Sequence, residues 1–142
     1  MLIDLDKKLN SLNKILVEKN LKLSVCESCT GGLLSKICTD FSGSSLWFVG
    51  GYVTYSNELK QVIGVKTETL QKYGAVSKNV AMEMSAATLK STKTDICLSI
   101  TGLQVQMAEL VRNLLVLFTF LMQINMASKL MKNVFSQAHA TQ

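Results

Sequence analysis

Two short apolar runs, Leu21–Cys26 and Asp95–Ile100, are separated by stretches of helical periodicity, and this alternation constrains the fold more than any other feature. Leu5, Leu9, Leu12 and Leu16 recur at helical spacing with lysines and aspartates between them, which predicts an amphipathic helix over Asp4–Lys19. Asn20 suits its C-terminal end. Thr30 is placed to cap a helix running to Cys38, and Ser42-Gly43-Ser44 is a turn. Leu46–Thr54, rich in aromatic and β-branched residues, reads as a strand. Its Gly50-Gly51 pair points to a bulge or a close backbone approach. Short helices are expected over Asn57–Ile63 and Thr67–Tyr73, with Gly74 as the C′ residue of the second. Ser77 caps a third, Lys78–Leu89, with Val80, Met84, Ala87 and Thr88 roughly on one face. Short buried strands alternating with helices predict an α/β domain, layered α-β-α around a central sheet.

The chain has 142 residues, enough for one domain with a real core, and 48% of them are apolar. Its net charge of +5 comes from scattered lysines without aromatic interleaving, so no nucleic-acid surface is expected. No stretch reaches the ~18 apolar residues of a membrane span. The longest apolar run, Leu114–Met122, is about half that, and the charged N-terminus lacks a secretory core. A cytoplasmic location is the expectation. The cysteines are Cys26, Cys29, Cys38 and Cys97. Cys26-x-x-Cys29 has neither a second such pair nor a nearby histidine to complete a zinc site, so these cysteines read as structural and no metal is expected.

The chemistry concentrates between Val25 and Lys60. A strand ending at Glu27-Ser28 turns through Cys29-Thr30-Gly31-Gly32 into a helix, which offers backbone N–H groups to an anion or oxyanion. The glycines permit close approach of a ligand to the backbone. Ser44-Ser45 follow, then Tyr55 and Lys60 around a helix start. The only histidine, His139, lies near the end of the chain, so a lysine is the better candidate base for an activated serine. Burial lowers a lysine's pKa toward that role. Trp47 and Phe48 read as core.

Glu27-Ser-Cys-Thr-Gly-Gly32, Gly43-Ser-Ser45, Trp47-Phe48, Gly50-Gly51, Val53-Thr-Tyr-Ser-Asn57 with Lys60, Tyr73-Gly-Ala-Val-Ser77 and Ile100-Thr-Gly102 together resemble the C-terminal domain of CinA. Its stand-alone relatives are the PncC-type nicotinamide-mononucleotide amidohydrolases. The resemblance covers about residues 5–102, with Ser42 where the family usually has proline. The separate N-terminal domain of full-length CinA is not expected in this chain. The resemblance implies hydrolysis of nicotinamide mononucleotide to nicotinate mononucleotide and ammonia, a step of pyridine nucleotide salvage, without metal or cofactor. It also implies a homodimer. Ser45 is taken as nucleophile, Lys60 as general base and Tyr55 as an orienting or proton-relaying group, with Ser28 the other candidate nucleophile. Ser28, Thr30, Gly31, Gly32 and Thr101 would hold the substrate.

After Gly102 the composition changes. Residues 103–142 contain no glycine, although eight occur before them, and they hold the only arginine, Arg112. The family continues with a glycine-rich loop and a strand, where this chain has Leu103-Gln104-Val105-Gln106-Met107-Ala108. The genetic code reconciles the two. Joining the third base of each codon to the first two of the next makes Met107–Ala108 give Gly. Over Leu103–Phe120 the shifted frame permits Ala-Gly-Pro-Asp-Gly-Gly-Thr-Ser-Glu-Lys-Pro-Val-Gly-Leu-Val-Tyr-Ile. Val134–Thr141 likewise permits Phe-Phe-Thr-Gly-Thr-Arg-Asn. The expectation is a single-nucleotide shift near codon 102. Residues 1–102 would then be an incomplete CinA-like domain and 103–142 an aberrant apolar tail. Its strands would be lost or replaced by helix around Ala108–Met122, with little or no amidase activity. A non-catalytic nucleotide-binding protein and a non-functional product are the alternatives.

Overall fold

The computed structural model describes residues 2–102 and 118–124. In chain order the elements are α1 (Leu2–Glu18), β1 (Leu23–Glu27), α2 (Leu33–Asp40), a 3-10 turn (Ser44–Leu46), β2 (Phe48–Val53), α3 (Asn57–Ile63), α4 (Thr67–Tyr73), α5 (Lys78–Thr92), β3 (Ile96–Gly102) and β4 (Phe118–Ile124). The expected α/β architecture is present, with strand order β2-β1-β3-β4. β1 pairs parallel with both β2 and β3, and β4 pairs antiparallel with β3.

The period-2 geometry of β1 divides its residues between two cores. Leu23 joins Leu16, Cys38 and Trp47 under α1 and α2. Cys26, one step out of phase, joins Val80, Met84, Leu89 and Cys97 under α5, with Val65 and Leu70 alongside. β3 repeats the division: Ile96 and Leu98 pack on the first cluster, Cys97 in the second. Trp47 is fully buried, its indole N–H donating to Asn13 Oδ1 at 2.8 Å, so it is core. The strand pairing skips Val49: Leu23 faces Phe48 and Ser24 faces Gly50. A Cβ on Gly51 would lie 2.0 Å from the Val25 carbonyl oxygen, which is the close backbone approach that the Gly50-Gly51 pair predicts.

Two expectations are corrected. Thr30 does not cap α2. The helix starts at Leu33, its N-cap is Gly32 in the left-handed region at φ 99°, and no side chain of the cap residue bonds to it. Glu27 fills the role instead, because its carboxylate points from β1 straight at the open N–H groups of the first turn. The second correction concerns the tail. The expected helix over Ala108–Met122 falls partly on residues 103–117, outside the described ones, but over Phe118–Ile124 the backbone is strand, not helix. The physical reason is the far edge of β3, whose N–H and C=O groups need partners. Phe118-Thr119-Phe120, aromatic and β-branched, pair with Gly102, Thr101 and Ile100 there.

Candidate functional site

β1 and β3 run parallel, and the connections leaving their C-terminal ends go to opposite sides, toward β2 and β4. A crevice opens at such a reversal in an α/β sheet. Here Ser28 follows β1 and Thr101 is the penultimate residue of β3, and both line it. A cavity of about 260 Å³ is lined by Ser28, Cys29, Tyr55, Lys60, Ala75, Val76, Thr101 and Gly102.

Lys60 forms the floor. Its side chain comes from α3, capped at Ser56, whose Oγ accepts from Leu59 N–H at 3.1 Å. Lys60 is 1% exposed. Its Nζ lies 3.0 Å from Ser28 Oγ, 2.8 Å from the Thr54 carbonyl oxygen and 3.0 Å from that of Tyr55. Among the described residues no carboxylate pairs with it. Burial therefore lowers its pKa below the ordinary lysine value, and the nearby Cys26 and Cys29 sulfurs only partly oppose this. Burial in turn pushes the Cys26 thiol above its ordinary value, which weakens that opposition.

The loop carrying Ser28 is fixed from both sides. The Ser28 N–H donates to the Ile100 carbonyl at 3.0 Å, and Gly31 N–H to that of Ser28 at 3.1 Å. Glu27, fully buried, accepts from Leu34 N–H at 2.9 Å, Ser35 N–H at 2.8 Å and Ser35 Oγ at 2.7 Å. Burial alone would raise its pKa, but these donors outweigh it and hold the carboxyl below the usual range. The enclosed Thr30 hydroxyl beside the carboxylate is the largest contributor to that lowering, ahead of Ser35 and Leu34. Cys29 lines the cavity, and its N–H has no hydrogen bond among the described residues.

The structure thus brings together Ser28, Tyr55, Lys60 and Thr101. Lys60 meets the backbone carbonyl of Tyr55 and not its hydroxyl. Thr101, 1% exposed, donates to the Ala75 carbonyl at 2.9 Å and ties β3 to the α4–α5 loop. Thr30, Gly31 and Gly32 lie in the turn beside the cavity but do not line it. Ser45 is elsewhere: exposed, in the 3-10 turn that precedes β2. That turn adjoins the start of β1, since Leu23 N–H donates to the Trp47 carbonyl at 2.7 Å. Ser28 follows the end of β1, so at ~3.3 Å per strand residue the two serines stand on the order of 15 Å apart, at opposite ends of the parallel strands. Sequence reasoning missed Glu27 as an anchor and Cys29, Ala75 and Val76 as lining. Ala75 and Val76 do lie within the Tyr73–Ser77 motif.

Fold and site define an α/β domain with a buried serine–lysine pair at the carboxyl ends of parallel strands. The CinA C-terminal domain family matches residues 5–107, and the chain belongs to that family. It is 51% identical over 82 residues to the nicotinamide-nucleotide amidohydrolase PncC of Escherichia coli (strain K12), covering 57% of this chain and 50% of that protein. A CinA-like protein of Syntrophomonas wolfei is 50% identical over 101 residues, 70% of this chain and 24% of that one. The chain thus spans about half and about a quarter of these relatives. The crystal structure of competence/damage inducible protein CihA from Agrobacterium tumefaciens matches with a TM-score of 0.69 at 34% identity, over 75% of this chain and 67% of that one. Among the described residues, no helix is long and apolar enough to cross a membrane.

Proposed function

We propose that residues 1–102 carry the catalytic machinery of a serine–lysine amidohydrolase acting on the carboxamide of a nicotinamide nucleotide, with Ser28 as nucleophile. The observation that carries this reading is the set of three partners around Lys60 Nζ. Two are carbonyl oxygens, which only accept. A neutral amine has two N–H groups and one lone pair. As an ammonium, Nζ donates to all three, Ser28 Oγ included; on losing a proton it keeps its N–H groups on the carbonyls of Thr54 and Tyr55 and turns the lone pair to the Ser28 hydroxyl. Lys60 takes the proton as Ser28 Oγ attacks the amide carbon, then returns it to the departing ammonia. Water hydrolyses the resulting ester to the carboxylate and restores Ser28. The Cys29 N–H, beside the nucleophile, serves the developing oxyanion. The substrate itself is carried over from the PncC relative.

A fluorophosphonate probe tests the dyad independently of the substrate. Adduct formation is expected at Ser28, rising with pH to a plateau with an inflection below the ordinary lysine pKa of 10.5. Ser45→Ala should still label, and Lys60→Met should slow labelling by about 10²-fold or more, the scale of a lost general base. Labelling at Ser45, or a rate in Lys60→Met equal to wild type, would refute the dyad.

We propose further that residues 103–142 are read out of frame. Gly102 lines the cavity, so the altered segment begins at the wall of the site. The family match stops at 107, which supports the seam. Loss of the glycine-rich loop removes backbone donors beside the site, and turnover should fall far below that of an intact relative. This favours, as the second reading, a domain that binds nucleotide with little or no hydrolysis.

A further inference from the structure

Tyr55 is 76% exposed, yet it lines the cavity whose floor is buried Lys60 and Ser28. Among the described residues its hydroxyl has no hydrogen bond and its ring no aromatic or cationic neighbour. The backbone of the same residue is held firmly, its carbonyl on Lys60 and the capped start of α3 immediately after it. A large aromatic face is thus fixed at its root, without a partner among the described residues, and placed beside a site. The apolar, half-buried Ala75 and Val76 line the same cavity. An unpartnered aromatic surface of this kind is a contact in waiting, and its negative π-face attracts a planar cation.

We infer that Tyr55 is a stacking platform that selects an N-substituted pyridinium ring, and that it acts through its ring and not its hydroxyl. This rests on the nicotinamide-nucleotide reading. The pyridinium of such a nucleotide is flat and positively charged. Seated against Tyr55 with Ala75 and Val76 lining the slot, it would direct its carboxamide down toward Ser28 and Lys60. Tyr55 is then a specificity-determining residue, and the proton relay needs no group beyond Lys60.

Calorimetric titration of the full chain with nicotinamide mononucleotide tests this, with ribose 5-phosphate as the ligand that lacks the ring. Tyr55→Leu should weaken nicotinamide mononucleotide by about tenfold, the scale of a stacking plus cation–π contact. It should leave ribose 5-phosphate unchanged. Tyr55→Phe should bind nicotinamide mononucleotide within about twofold of wild type. Equal loss in Tyr55→Phe and Tyr55→Leu would overturn the inference in favour of the hydroxyl, as would an unchanged affinity in Tyr55→Leu. A wild-type chain that binds no nicotinamide mononucleotide would overturn both the inference and the substrate reading beneath it.

Discussion

Replacing Glu27 by glutamine tests whether the strand-borne carboxylate, and not a capping side chain, holds the turn that presents Ser28. The wild-type carboxylate only accepts, and it faces three donors: Ser35 N–H and Ser35 Oγ on one oxygen, Leu34 N–H on the other. Glutamine can keep its oxygen on Ser35, but its NH₂ then meets the Leu34 N–H, donor against donor. A buried N–H left unsatisfied costs about 1–3 kcal/mol. Removing the negative charge from the N-terminus of α2 costs up to ~2 kcal/mol more in a partly buried geometry. The expected destabilisation is therefore about 3 kcal/mol, a large share of the 5–15 kcal/mol typical of a domain. Urea unfolding at neutral pH measures it. The sign of the pH dependence makes the test specific. The Glu27 pKa is depressed in the folded state, so its contribution is complete above the unfolded carboxyl pKa near 4.5 and is lost as pH falls through the folded value. The gap between wild type and Glu27→Gln should therefore narrow with acidification. A destabilisation below about 1 kcal/mol at neutral pH, or a gap independent of pH down to the acid transition, would refute the assignment.

Gly51→Ala forces a Cβ to within 2.0 Å of the Val25 carbonyl, a backbone atom that cannot move without parting β2 from β1. The expected cost is about 3 kcal/mol and a fall of more than 10 °C in Tm by differential scanning calorimetry; a Tm within about 3 °C of wild type would show that the two strands are not held so closely. Sequencing the coding DNA around codon 102 should show a second frame encoding the glycine-rich loop. Correcting one nucleotide should raise ammonia release from nicotinamide mononucleotide by orders of magnitude; a shifted frame without that loop removes the proposal.

Much of the architecture was legible because its signals are local. Helices α3 and α4 fall where Asn57–Ile63 and Thr67–Tyr73 were expected, and Ser77 caps α5 as its position implies, its Oγ accepting from Val80 N–H at 3.2 Å. The start of α2 was not legible. A threonine before two glycines looks like a cap, but the carboxylate that satisfies α2 comes from the preceding strand, across a turn whose glycines both adopt positive φ. Strand β4 was hidden for a different reason. Phe118, Phe120, Met122 and Ile124 share one strand face and Thr119, Leu121 and Gln123 the other, a period-2 signal that the expected helix over Ala108–Met122 passed over, and the unpaired edge of β3 decides.

The two serines show what a linear motif leaves undetermined. Ser28 and Ser45 carry equally good local chemistry, and each sits in a turn next to a strand. What separates them is strand direction: Ser28 follows the C-terminal end of β1, while Ser45 precedes the N-terminal end of β2. Because β1 and β2 are parallel, those positions lie at opposite ends of the strands. Lys60 follows β2 by way of the turn at Thr54–Ser56, so it lies at the end where Ser28 is. Residue parity then completes the choice. Glu27 faces α2 and Ser28, one residue on, faces α3, so one side chain anchors the turn while its neighbour meets the lysine. A one-residue slip of β1 would exchange these roles. It would bury the serine against a helix start and set a carboxylate beside Lys60, raising the lysine's pKa and ending its use as a base.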